Sequence, residues 1–442
     1  MANITGDRMA AFIATAKDRQ YDAAVIEEAK RCLVDWVGVA MGAVDEPVSR
    51  ATVETALSWQ AQGQGRIFRG PLTTPALAAL CNGTMGHAFD FDDTRGHAPS
   101  HLSSPTWSAI LAMAGEQDID GAQALSAFIT GYEISAVLGD NDFGNRMQAA
   151  GFHPTAVFGR LSAAAAAGVL LDHTADQAAH ALGIAATTAG GLTTSFGTMG
   201  KPLHSGKAAM DGILAAQLAT RGFEAARHAY DADGGFADTM LQTESFRFDG
   251  LEFTAGQSLF DNSYKPYACG KLIHPHIDAA RKLRDTVAGR EIVAIHCQVA
   301  EISTKLVGKP IPSTSLEGKF SIAFCIALAL NGYPVMPRDF AMDRVADPRL
   351  RALTERVELS VNPALGRYAS ILDITLSDGD VLHVEIRRSL GNPDNPMSWD
   401  DIRAKFDALV EPILGADAPV LYDALVTIDE PGKLDRILEL IA

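Results

Sequence analysis

The sequence predicts a mainly α protein: a large all-helical domain built from both chain ends, residues 1–264 and 398–442, with a smaller α+β domain, residues 265–397, inserted between them. Three observations carry this prediction. Apolar residues recur at helical spacing through most of the first 221 positions. From Glu291 the pattern changes class, with alternating segments that reach Arg387. Beyond a Pro/Asn stretch at residues 391–396 the helical spacing returns. Hydrophobic residues make up 47% of the chain but aromatics only 7%, a balance that suits closely packed helices better than a sandwich.

Taken in order, residues 4–16 read as a short helix, and Asp22 opens a stronger one. There Val25, Ala29, Cys32, Leu33, Trp36, Val39 and Ala40 repeat at helical spacing, with Gly42 as a stop. Residues 47–60 give another helix, and G-Q-G-R-I-F-R-G at 63–70 a turn with one short strand. Thr74 and Pro75 open a helix over 76–94, which would place His87, Asp90 and Thr94 on one face. Pro99 ends it, leaving residues 97–101 as a loop that returns His101 over that face. Helices follow over 106–116 and from Asp120 to about Leu138. His153-Pro154 stands before an alanine-rich helix over 155–171, and Thr174 with Gln177 forms a capping box for the next. A loop of small residues at 187–200 precedes Lys201-Pro202 and a long helix over 203–221, closed by Gly222. Pro275 opens a further helix; strands are predicted over 291–303, 357–361, 371–376 and 381–387, with a helix over 317–330. The last two strands flank S-D-G-D, a hairpin signal. Ser398 to Asp401 resembles a capping box, and the remainder is helical again.

A net charge of −17 argues against a nucleic-acid or anionic-membrane surface, since those partners want a basic stripe. Five scattered cysteines with no C-x-x-C spacing suit a reduced compartment, without a disulfide framework or zinc knuckle. No basic segment followed by an apolar run opens the chain, and no uncharged stretch reaches transmembrane length. The expectation is a soluble cytoplasmic protein.

Chemistry concentrates in residues 87–101, H-A-F-D-F-D-D-T-R-G-H-A-P-S-H, which hold three histidines, three aspartates, a threonine and an arginine between two apolar helical patterns. His153 sits at a helix N-terminus, where the dipole disfavours the imidazolium and keeps the ring able to accept a proton. Lys201 stands beside another helix start within a loop of small residues, where a lysine can serve as a base. Lys265, Lys271, His274 and His276 cluster before the helix that Pro275 opens. The G-x-G-x-x-G and P-loop spacings are absent, as is G-x-S-x-G, so no organic cofactor is expected and acid–base work is favoured over nucleophilic catalysis. A metal reading would use His97, His101 and the oxygens of Asp90, Asp92 and Asp93. Pro99 breaks the helical geometry it needs, and no second acidic cluster of the Mg²⁺-diphosphate type is present, so no metal is expected. Lysines and histidines together can hold the carboxylates of a small polyacid and remove a proton beside one of them. Elimination of water and epimerisation share that first step, and residue types alone do not separate them.

The motifs H-A-F-D-F-D-D-T with a following His-x-Ser, G-F-H-P-T, F-G-T-M-G-K-P-L-H-S-G-K-A-A, K-P-Y-A-C with His274-Pro275, and K-F-S-I resemble the MmgE/PrpD family across nearly the whole chain. That family includes 2-methylcitrate dehydratases, iminodisuccinate epimerases and cis-aconitate decarboxylases. The resemblance implies a helical domain with an α+β lid, a homodimer, catalysis without cofactor, and a site in the cleft between domains. Carried over by residue, it implies His153, Lys201, His101 and Asp90 as catalytic residues and Thr94, Lys265 and His274 as substrate-binding ones. His153 and Lys201 would be the acid–base pair, while His101 and Lys265 would bind carboxylates. Decarboxylating members carry a histidine where this chain has Gly270 and a tyrosine where it has Ala323, and Leu102 stands where a proline is expected. The F-G-T-M-x-K-P-x-H run is closer to the epimerase branch. The expected activity is elimination of water from a small hydroxy-polycarboxylate, with epimerisation of an amino- or imino-dicarboxylate next and decarboxylation behind both.

Overall fold

In the computed structural model the described residues are 5–96, 99–140, 142–243, 246–248 and 250–442. They group into two compact units, one of Met1–Ala88, Asp92–Ser263 and Ser398–Ala442, the other of Phe89–Phe91 and Tyr264–Met397.

The first unit runs through α1 (Thr5–Ala14), α2 (Ala23–Gly42), α3 (Pro47–Ser58), the ribbon of β1 (Gly65–Arg66) and β2 (Leu72–Thr73), and α4 (Pro75–His87). Then follow β3 (Thr94–Arg95), α5 (Ser103–Ala114), α6 (Gly121–Gly139), α7 (Phe143–Ala149), α8 (Pro154–Leu170), α9 (Ala175–Thr187), α10 (Gly200–Thr220), α11 (Phe236–Leu241) and β4 (Asn262–Ser263). Helices α6 and α10 pack on α8, α10 also packs on α4, and the alanine run of α8 is buried throughout. Small residues let the axes approach closely. At Gly206 of α10 an added Cβ would overlap the Leu80 carbonyl of α4. Glycine costs about 1 kcal/mol against alanine inside a helix, and here the close packing of two helices outweighs that.

One expectation needs correction. The helix expected over 76–94 ends at His87, so His87, Asp90 and Thr94 do not share a helix face. Asp90 takes a left-handed backbone (φ +53°), which aspartate tolerates better than most residues. The Asp93 N–H then donates to Asp35 Oδ2 at 3.0 Å, and Thr94–Arg95 pairs antiparallel with Asn262–Ser263. Long-range partners replace the helical hydrogen bonds, which local periodicity cannot register.

The second unit contains α12 (His274–Val287), β5 (Ile292–Val299), α13 (Glu301–Val307), α14 (Ser315–Gly318), α15 (Ile322–Leu330), α16 (Met342–Val345), α17 (Pro348–Thr354), β6 (Val357–Val361), β7 (Ser370–Leu376) and β8 (Val381–Ile386). Its sheet has the order β6-β5-β7-β8, with β5 and β6 parallel and the other pairs antiparallel. The parallel pair requires a crossover, which α13 to α17 supply. Alternate residues of β7, Ser370, Leu372, Ile374 and Leu376, are buried, and α12 packs on β7 and β8. Each such leucine or isoleucine contributes about 1.5–3 kcal/mol by leaving water. The strand expected over 291–303 stops at Val299, because Ala300 takes the N-cap position of α13. The helix expected over 317–330 is two helices, broken where the Ser321 hydroxyl accepts the Phe324 N–H and starts α15 afresh.

The chain then returns to the first unit through α18 (Trp399–Leu414), α19 (Ala418–Val426) and α20 (Lys433–Leu440). Ser398 and Asp401 form the capping box of α18, which packs on α2. At that contact the buried Lys405 Nζ donates to Asp35 Oδ1 at 2.6 Å. Among the described residues no helix is long and apolar enough to cross a membrane.

Candidate active site

In the first unit three turns converge: the C-terminal end of α4, the start of α8 and the start of α10. His87, the last residue of α4, sets its Nδ1 3.0 Å from both oxygens of Asp92, and His101 Nδ1 lies 3.2 Å from Asp92 Oδ2. Asp92 is fully buried. Burial alone would push its carboxyl up, but His101 and then His87 override that and hold it well below the usual carboxylate range. One ionised carboxylate therefore orients two imidazoles through Nδ1. His101 is fixed a second way, by its backbone N–H to Thr155 Oγ1 at 3.0 Å, in the first turn of α8. Thr94 is buried nearby in sequence, its hydroxyl donating to the Ser100 carbonyl at 3.3 Å.

His153 occupies the N-cap position of α8 without capping it through the ring, so the imidazole is available elsewhere. Its ring stacks at 5.9 Å on His87 and meets Phe196 edge-on at 4.9 Å. Lys201, in the first turn of α10, places its Nζ 5.5 Å from the centre of that same phenylalanine ring. A backbone bridge between Phe152 and Leu192, with the His153 N–H on the Gly191 carbonyl, ties the small-residue loop to the start of α8. Farther along, Arg160 of α8 pairs with Asp211 of α10 at 2.6 Å. Burial, then the cation of Lys201, holds the His153 imidazolium well below its ordinary range, so the ring is neutral near pH 7. Desolvation is the largest cause, where the sequence points to the helix dipole.

Asp90, Lys265 and His274 are brought together in the second unit. Lys265, only 2% exposed, donates from Nζ to the Asp90 carbonyl at 2.6 Å and to its Oδ1 at 2.9 Å. His274 opens α12 with Nε2 3.3 Å from the Cys269 carbonyl; burial first, then Lys265 and Lys271, keeps its imidazolium well below the ordinary range. The Lys271 ammonium lies 5.3 Å from the centre of the Tyr368 ring. At Gly270 an added Cβ would sit 3.0 Å from Val307, so a side chain there must push its neighbour aside.

The predicted site residues thus fall into two groups, Thr94, His101, His153 and Lys201 in one unit and Asp90, Lys265 and His274 in the other. Sequence reasoning placed His87 and Asp92 within the reactive stretch and His204 within a motif, but gave none of the three a catalytic or substrate-binding role. His204 could have been found from its place three residues after Lys201, which puts both on one face of α10. Of the metal-ligand set considered from sequence, His97 lies outside the described residues. Asp93 faces elsewhere, accepting from Ser103 and Asn262. Side chains of metal-ligand type do gather at His87, Asp92 and His101, whose ligand atoms lie within 4.8 Å of one another. There the carboxylate is already the acceptor for both imidazoles.

The chain matches known proteins over most of its length. The MmgE/PrpD N-terminal domain matches residues 7–249 and the MmgE/PrpD C-terminal domain residues 267–421. The chain is 26% identical to a cis-aconitate decarboxylase of Aspergillus terreus, over 94% of this chain and 91% of that protein. It is 27% identical to the cis-aconitate decarboxylase of Homo sapiens, over 89% and 85% of the two. A 2-methylcitrate dehydratase of Cupriavidus necator is 24% identical over 80% of this chain and 79% of its own length. These relatives are enzymes, and the two domain matches span most of the chain. The chain belongs to the MmgE/PrpD family.

Proposed function

We propose that this chain is a cofactor-independent lyase that removes a proton beside a carboxylate and expels water from a small hydroxy-polycarboxylate, as a 2-methylcitrate dehydratase does. The observation that carries the reading is His153: a buried imidazole kept neutral at a helix start, with an ammonium beside it. A neutral His153 accepts the proton from carbon. Negative charge then develops on the adjacent carboxylate, where fixed cations lower the barrier more than water would. Lys201 supplies one such charge and is the proton donor to the departing hydroxyl. His101, oriented by Asp92, offers its Nε2 side to a substrate carboxylate, with Thr94 as a hydroxyl partner. In the second unit, Lys265, steadied by Asp90, and His274 form a separate group suited to a carboxylate.

The decarboxylases among its relatives favour a second reading, loss of carbon dioxide from cis-aconitate or a near analogue. Its carbanion needs the same cationic setting and the same proton donor. The missing side chains at Gly270 and Ala323 weigh against it. Epimerisation, in which the carbon is reprotonated on its other face, remains a third use of the pair.

Three assays separate these. With chelator present, 2-methylcitrate or citrate is expected to raise ultraviolet absorbance as a double bond forms. Carbon dioxide released from cis-aconitate, with no such rise, moves the assignment to decarboxylation. Deuterium entering a dicarboxylate from solvent without water loss moves it to epimerisation. A flat response throughout rejects the proposed chemistry.

A further inference from the structure

His204, the histidine of the F-G-T-M-G-K-P-L-H run, was given no role above, yet its ring is aimed at the proposed base. His153 Nδ1 and His204 Nδ1 are 3.0 Å apart, with ring centres 5.3 Å apart. A neutral imidazole carries one ring proton, so a hydrogen bond between two Nδ1 atoms requires one ring to hold that proton on Nδ1 and the other to hold it on Nε2. The tautomers of the two rings are therefore locked in opposition. When His153 is the donor, its Nε2 is bare and can take a proton. When His204 is the donor, His153 carries its proton on Nε2 and can give one. One shared hydrogen decides whether the proposed base faces the site as a base or as an acid.

We propose that His204 is the proton-relay partner of His153, drawing the abstracted proton away through the Nδ1–Nδ1 bond. This rests on the reading of His153 as the group that takes the proton from carbon. The step balances. The carbon–hydrogen bond breaks, its electron pair stays on the substrate, and its proton binds His153 Nε2. His153 Nδ1 then passes its own proton to His204 Nδ1, which becomes the imidazolium. His153 is left neutral with hydrogen on Nε2, ready to donate. The exchange moves a positive charge from a ring that is 1% exposed to one that is half-buried, where water can carry the charge and the proton onward. Burial holds His204 down to about 4, helped by His87, Arg160 and Lys201, so the ring begins each cycle neutral. Arg160 is itself paired to Asp211, which Lys207 also engages, so these charges stay fixed during the transfer.

The inference is tested with ¹⁵N-histidine-labelled protein and two variants, His204→Gln and His204→Phe. Ring-nitrogen shifts are expected to give opposite tautomers for His153 and His204 in the parent chain, a readout that needs no substrate. Both rings carrying their proton on Nε2 would overturn the relay. Glutamine can hydrogen-bond to His153 but cannot carry a proton onward. With 2-methylcitrate and cis-aconitate as probes, His204→Gln is therefore expected to lose about a hundredfold in kcat, with KM and melting temperature nearly unchanged, and His204→Phe at least as much. Parent-level kcat in His204→Gln would reduce His204 to a structural neighbour and overturn the relay. Retained turnover in His153→Ala is a different result, one that overturns the base assignment itself.

Discussion

At the scale of single residues, function and stability separate in this chain. His153 does not cap its helix through the ring and Lys201 packs on one phenylalanine, so neither is a keystone of the apolar core. We expect His153→Ala and Lys201→Met each to lower kcat by about 10²–10⁴, the usual contribution of a positioned proton-transfer group. Each should cost no more than about 1 kcal/mol in stability, which steady-state kinetics and denaturant melts measured together will check. Matching losses in both would make these residues structural. Residue types revealed much of this site and geometry revealed the rest. His101, His153 and Lys201 stand out because each sits beside a proline or a loop of small residues. Asp92 did not, since three aspartates within four residues look alike until one is buried between two imidazoles.

At the scale of elements, α18 is held to α2 by an ion pair in the interior. Lys405 and Asp35 are both buried, and Asp35 also accepts the Asp93 N–H that sets the course of the chain after α4. Lys405→Met leaves a carboxylate in the core without its cation and is expected to cost about 3–5 kcal/mol in a chemical melt. The double variant with Asp35→Leu should recover most of that loss. Helix starts were legible wherever their signals are local: Thr174 with Gln177 and Ser398 with Asp401 are both capping boxes. The end of α4 was not legible. Nothing between residues 76 and 94 announces a stop, because the groups that unwind it, Asp35 and Asn262, lie far away in sequence. Ser321 was overlooked for a different reason, being a cap inside an otherwise unbroken apolar run.

For the whole molecule, pH acts through carboxyls held against their preference. Burial, then Asp35, pushes Asp93 up to about 8, and burial raises Glu133 to about 7. A carboxyl whose folded value exceeds its unfolded one adds stability that is complete below the unfolded value, near 3.8 for Asp93, and is lost as pH rises through the folded one. The melting temperature should therefore fall progressively from about pH 4 to about pH 8 and level off above that, as the folded carboxyls finally ionise. In Asp93→Asn that fall should be shallower, with the remainder due to Glu133. An unchanged slope by differential scanning fluorimetry would remove Asp93 as its source.

The bond from Lys405 to Asp35 closes a loop of 370 residues. A ribosome delivers α2 some 370 residues before Lys405 of α18, so the aspartate must wait through that synthesis for its counter-ion. Until then the side of α2 that α18 covers stays open to water and to wrong neighbours, and loop-closure entropy slows that docking. Refolding should be slow and prone to association, and chaperone demand in the cell should be greatest just before the last helices emerge.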